Sequence, residues 1–158
     1  MLRILLAGLP VILLCLALQA VFVAQCLRYY ARYRRAYANQ HSQWRDIMLL
    51  SMVMLLTLLG NFVQMAIWAL LFRVIGEFDD FQTALYHSAV NFVTLGYGDI
   101  VMSPRWRLLG ALEAANGILM FGLSTAVTTA AVFDVVKFNA ARHASDATGR
   151  LSDEPRMP

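Results

Sequence analysis

Three apolar runs decide most of what this chain can become. Ile4 to Leu27, Ile47 to Phe72 and Leu108 to Val136 each exceed the roughly 20 residues that a helix rising about 1.5 Å per residue needs to cross a hydrocarbon core. No water reaches a backbone amide inside lipid, so a spanning segment must close its own hydrogen bonds, and a helix does so. A soluble domain of 158 residues has too small an interior for a composition that is 59% hydrophobic and 15% charged. The expectation is an all-α membrane protein with three transmembrane helices.

Charge orders the spans. Residues 28–46 carry five arginines against one acid, interleaved with Tyr29, Tyr30, Tyr33 and Tyr37. At helical spacing Arg28, Arg32 and Arg35 form one stripe, and Tyr30, Tyr33 and Tyr37 the opposite one. The segment reads as an interfacial helix or helix extension, with tyrosines at headgroup depth and arginines reaching anionic lipid phosphates. The positive-inside rule places it in the cytoplasm, hence the amino terminus outside and the carboxyl-terminal tail inside a multi-pass protein of the cell membrane. The first run is too long for a signal-peptide core, and its removal would strand the most basic segment outside, so residues 1–27 are read as a retained helix. It holds no arginine ladder, which argues against voltage sensing of the usual kind. Cys15 and Cys26 lie too far apart along one helix for a disulfide and read as apolar filler. The net charge of +3 comes from arginines outside the apolar runs, which suits lipid headgroups and not nucleic acid.

The second run carries Asn61 and Gln64 three residues apart, a face expected to meet protein. Beyond it, Arg73, Gly76 and Glu77 mark the exit from the membrane. Asp79 with Gln82 reads as a capping box that opens a helix over residues 81–92. Twelve residues are too few to span, so this helix dips in and ends at membrane depth, its partially negative carboxyl end turned toward a cation. Thr94-Leu95-Gly96-Tyr97-Gly98-Asp99 follows. Glycines at alternate positions let the backbone alternate between right- and left-handed regions, which aligns successive carbonyls. Carbonyl oxygen is a hard, uncharged ligand for a dehydrated cation, and a cage of such oxygens needs several copies of the chain around an axis.

That hexapeptide resembles the signature of potassium channels, whose usual form is Thr-Val-Gly-Tyr-Gly-Asp. The resemblance covers residues 47–137 and implies an outer helix over 47–72, a re-entrant pore helix over 81–92, a selectivity filter over 94–99, and an inner helix over 104–137, assembled as a homotetramer. It implies potassium coordination by Thr94, Leu95, Gly96 and Tyr97, with Gly98 completing the filter and Asp99 and Tyr86 bracing it. Leu95 stands in place of the commoner Val, Val93 where many relatives carry a second Thr, and Val90 where some carry a buried acid. Gly117 falls near a hinge glycine of relatives and is read as a hinge or as a rigid small-residue contact, and with Phe121, Thr125 and Thr129 it forms the stripe read as pore-lining. Ser103-Pro104 reads as the N-cap and first turn of that helix. Glu113 and Asn116 are read as an inter-subunit hydrogen bond or as support behind the filter. Asp134 is read as a ring at the inner mouth or as a partner of Lys137, and His87 as a packing residue.

The chain divides accordingly into an amino-terminal helix (1–27), a basic aromatic segment (28–46), the pore module (47–137) and a tail (138–158) whose composition suggests disorder. The function these features imply is passive conduction of potassium, which is permeant ion and not cofactor, through one central pore. An accessory membrane subunit that keeps the filter fold but does not conduct is the alternative. An enzyme is not expected: no metal-ligand cluster, paired nucleophile and base, or phosphate loop is present in the sequence.

Overall fold

The computed structural model describes residues 2–36 and 43–152. The protein is all-helical, with α1 (Leu2–Ala36), α2 (Gln43–Val74), α3 (Phe81–Phe92) and α4 (Arg107–Ser152) in chain order. Three of these helices are long and apolar enough to cross a membrane: Leu2–Tyr33, Trp44–Val74 and Arg107–Lys137. Only a minority of the side chains on these spans are buried, which leaves their surfaces to lipid or to further copies of the chain.

The helices pack around α2, which touches the other three, and α4 also meets both α1 and α3. Gly8 of α1 lies against Leu109 and Leu112 near the start of α4, and Gly60 of α2 lies against Phe22. Tyr30 of α1 meets Asp134 toward the other end of α4. These contacts make α1 parallel to α4, with the start of α1 on the side where the preceding loop enters α4.

The shared core is Trp68 and Phe72 of α2, Phe92 of α3, and Leu109 and Met120 of α4, with Cys15 of α1 buried among them. Cys15 and Cys26 are free and buried. Asn61 and Gln64 do face protein. Gln64 Nε2 donates to Gln19 Oε1 at 2.8 Å, Gln19 Nε2 donates to Ser124 Oγ at 3.2 Å, and Asn61 Nδ2 donates to the same hydroxyl at 3.4 Å. All four residues are buried, so α1 is bonded to α2 and α4 by polar groups that would otherwise be stranded in hydrocarbon.

Several boundaries differ from the sequence reading. Residues 28–36 continue α1 with no break, and Pro10 sits inside that helix. Tyr37 and the side chain of Arg35 lie outside the described residues, whereas Arg28 and Arg32 are exposed. The last span does not stop at Lys137. It stays helical to Ser152, where composition suggested a disordered tail, because Ala140, Ala141, Ala144 and Ala147 favour helix and no proline interrupts before Pro155. Asp153 to Pro158 lie outside the described residues. Pro104 belongs to a turn ahead of α4, which begins at Arg107, and the Ser103 carbonyl accepts from the amides of Trp106 and Arg107.

Candidate pore loop

The loop begins where α2 ends. Gly76 adopts a left-handed φ of 75°, its amide bonds to the Arg73 carbonyl, and the Glu77 amide bonds to the Phe72 carbonyl. This is the glycine-terminated pattern that satisfies the last carbonyls of a helix. Glu77 then reaches across to the returning limb, where Oε1 accepts from the Ser103 amide and Oε2 accepts from the Ser103 hydroxyl at 2.9 Å. The descending and ascending limbs are thereby tied at their base. The sequence reading gave Glu77 no such part, since nothing local indicates a partner 26 residues on.

α3 spans Phe81–Phe92 as expected, but its cap is Asp80 and not the Asp79–Gln82 pair. Asp80 Oδ2 accepts from the Thr83 amide at 2.8 Å and from the Thr83 hydroxyl at 2.9 Å. These bonds hold the Asp80 carboxyl below the usual carboxylate range.

At the other end the chain folds back on the helix it has just left. The amide of Thr94 donates to Asn91 O at 2.9 Å, and those of Leu95 and Gly96 donate to Val90 O at 2.9 and 3.4 Å. In a trans peptide the carbonyl of one residue opposes the amide of the next. The carbonyls of Val93, Thr94 and Leu95 therefore point away from α3. Left-handed φ values recur at Thr94 (58°), Gly96 (59°) and Gly98 (76°), with residues 95 and 97 between them on the other side of the map. Glycine permits this at 96 and 98 without strain. A β-branched Thr at 94 does so only at a cost of order 1–3 kcal/mol, and no sequence signal marks it. Ala89 O, Val90 O and Asn91 O are occupied by amides of residues 93–96, so these carbonyls at the carboxyl end of α3 are already engaged.

Tyr86 and Asp99 come together as anticipated: the Tyr86 hydroxyl donates to Asp99 Oδ2 at 2.7 Å, and Asp99 Oδ1 accepts from the Ile100 amide at 3.0 Å. The tyrosine hydroxyl holds the Asp99 carboxyl below its ordinary range, and the same bond pushes the Tyr86 hydroxyl up. His87 is buried against Phe72 and Phe78, in keeping with a packing role. It also has a defined tautomer. Ile100 O can only accept, so Nδ1 carries the proton across 3.0 Å, and Nε2 accepts from Asn91 Nδ2 at 2.9 Å. Burial pushes the His87 imidazole below its usual value, partly opposed by the Ile100 carbonyl and by Glu77 and Asp99.

The inner-helix candidates separate into two groups. Thr125 and Thr129 are exposed, although the Thr125 hydroxyl is engaged by the Phe121 carbonyl at 2.9 Å. Gly117 is not on an open face. A Cβ built there would fall on the Phe92 carbonyl oxygen, with the carbonyl carbon at 2.8 Å, so this glycine exists to let the end of α3 lie on α4. Phe121 is half-buried, its ring 5.8 Å from that of Phe92. Asp134 turns to α1, where Tyr30 donates to Oδ2 at 2.5 Å. Glu113 meets Ser88 of its own chain at 2.5 Å. Asn116 is buried with both amide atoms unpartnered within the protomer.

The strand after α3 is exposed, Leu95 by 53% and Tyr97 by 67%. Behind it a cavity of about 290 Å³ separates Gly96 and Gly98 from Gly110 and Ala114 of α4. Among the described residues no group of three or more His, Cys, Asp or Glu could hold a metal ion. Residues 56–134, half of the chain, match the model of a family described as ion channel, a stretch that takes in α3, the filter strand and the membrane part of α4. Neither curated proteins nor solved structures gave a match.

Proposed function

Because the chain belongs to the ion channel family, we propose that it is a potassium-selective channel conducting passively through the central pore of a homotetramer. The observation that carries this reading is the left-handed backbone at Thr94, Gly96 and Gly98, with the amides of residues 94–96 turned back onto α3. A strand so wound presents a ladder of carbonyl oxygens on one side, assigned here to Thr94, Leu95, Gly96 and Tyr97, and four such ladders replace the hydration shell of potassium. The exposed Leu95 and Tyr97 side chains and the cavity behind the filter favour neighbouring copies packed against the strand. Thr125 and Thr129 line the wet path below it. Arg28 and Arg32, exposed beside the stacked Tyr29 and Tyr33 rings, take anionic headgroups on the cytoplasmic side, which leaves the start of α1 and the filter mouth outside.

Flux into proteoliposomes tests the reading. Wild type should pass potassium far better than sodium. Gly96→Ala, which puts a side chain at a φ of 59°, should lose the preference or the flux. Equal permeability to the two ions in wild type would refute the selectivity claim, and a purified particle holding one copy of the chain would refute the tetramer.

A further inference from the structure

Ser88 lies midway along α3 and is fully buried. Its hydroxyl oxygen is 2.8 Å from the Met65 carbonyl of α2 and 2.5 Å from Glu113 Oε1 of α4. A serine hydroxyl has one proton to give. The Met65 carbonyl can only accept, so the serine proton belongs to that contact. The proton in the 2.5 Å contact then comes from the glutamate. The second oxygen, Oε2, is buried with no hydrogen-bond partner in the protomer. A carbonyl oxygen of a neutral acid tolerates that position far better than a carboxylate would. The groups around Glu113 are Ser88, Asn91 and the Cys15 thiol, and none is a cation.

We propose that Glu113 is a neutral carboxylic acid that donates to Ser88 and thereby positions α3, with the filter it carries, against α2 and α4. Glu113 is a positioning residue, since it touches no permeant ion. Ser88 stands six residues before Thr94, and the Asn91 amide lies beside Glu113 while donating to His87. His87 in turn holds the Ile100 carbonyl just past Asp99. The brace therefore acts on both ends of the loop: on the end of α3 directly, and on the returning limb through Asn91 and His87. The selectivity part of this inference rests on the channel reading, whereas the protonation part does not.

Two measurements test it. Infrared spectra of wild type and Glu113→Gln in lipid at neutral pH should differ by a carboxylic-acid carbonyl band that the variant lacks. A difference confined to carboxylate bands would overturn the proposal. In flux assays Glu113→Gln keeps a donor of similar shape and should retain the wild-type potassium-to-sodium ratio. Glu113→Leu and Ser88→Ala should lower the ratio by about tenfold, the factor equivalent to one buried hydrogen bond. A wild-type ratio in Glu113→Leu, or an equal loss in the Gln and Leu variants, would also overturn the proposal. If Glu113→Leu does not assemble, the infrared comparison still decides it. If wild type shows no potassium preference, the channel reading fails while the infrared band still reports on the proton.

Discussion

Gly117→Ala separates a hinge from a contact. A methyl at residue 117 would fall on the Phe92 carbonyl oxygen, 2.8 Å from its carbon and 3.1 Å from its Cα. All three obstacles are backbone, so no rotamer change relieves them. Carbon atoms in favourable contact sit about 3.5–4.0 Å apart, so the Phe92 carbonyl carbon must retreat by roughly 0.7–1.2 Å. Phe92 is two residues before Thr94, and a functional constellation tolerates only about 0.5 Å of displacement. The expected result is a destabilisation of about 1–3 kcal/mol, the range for overpacking a close contact, together with a lower potassium-to-sodium ratio in vesicles. Thermal unfolding in detergent supplies the first number and paired flux measurements the second. Gly122→Ala is the control, because nothing lies within 4 Å of a Cβ there. It should leave selectivity alone and stabilise the helix by up to about 1 kcal/mol. If Gly117→Ala keeps wild-type stability and selectivity and only slows flux, residue 117 is a hinge and the contact argument is wrong.

Two further outcomes follow from the buried polar groups. Gln19→Leu strands the Gln64 amide nitrogen and removes one of the two donors to the Ser124 hydroxyl, and should lower resistance to unfolding in detergent by about 0.6–1.7 kcal/mol with the permeability ratio unchanged; unaltered stability would mean that the Gln19 bonds do not help to hold α1. For His87 the sign runs as a depressed imidazole requires. Its stabilising effect is complete above the ordinary histidine value of 6.5 and is lost as pH falls from there through the lower folded-state value, because the unfolded chain takes up the proton first. Acidification should therefore lower the unfolding temperature of wild type more than that of His87→Phe in the pH range just below 6.5, and identical pH profiles would show that His87 does not carry the effect.

How much of this was legible in the chain depended on range. Apolar length fixed the three spans, and the shortness of residues 81–92 made that helix re-entrant, because both follow from the cost of an unpaired amide in lipid. Gly96 and Gly98 announced a left-handed backbone, because glycine alone takes it freely. The Tyr86–Asp99 bond was foreseen through the resemblance to potassium channels and not from spacing.

What only the tertiary structure decided was which group meets which. Thr94 is left-handed because its amide and its neighbours' are claimed by Asn91 and Val90. Gly117 is a contact because the end of α3 lands on it, Asp134 turns to Tyr30 because α1 runs parallel to α4, and Glu113 finds Ser88 because two helices cross there. A polar residue in an apolar helix tells the reader that a partner is needed. Only the packing of helices 25 to 104 residues apart in sequence supplies it, since burial in hydrocarbon makes any partner better than none and leaves the choice to geometry.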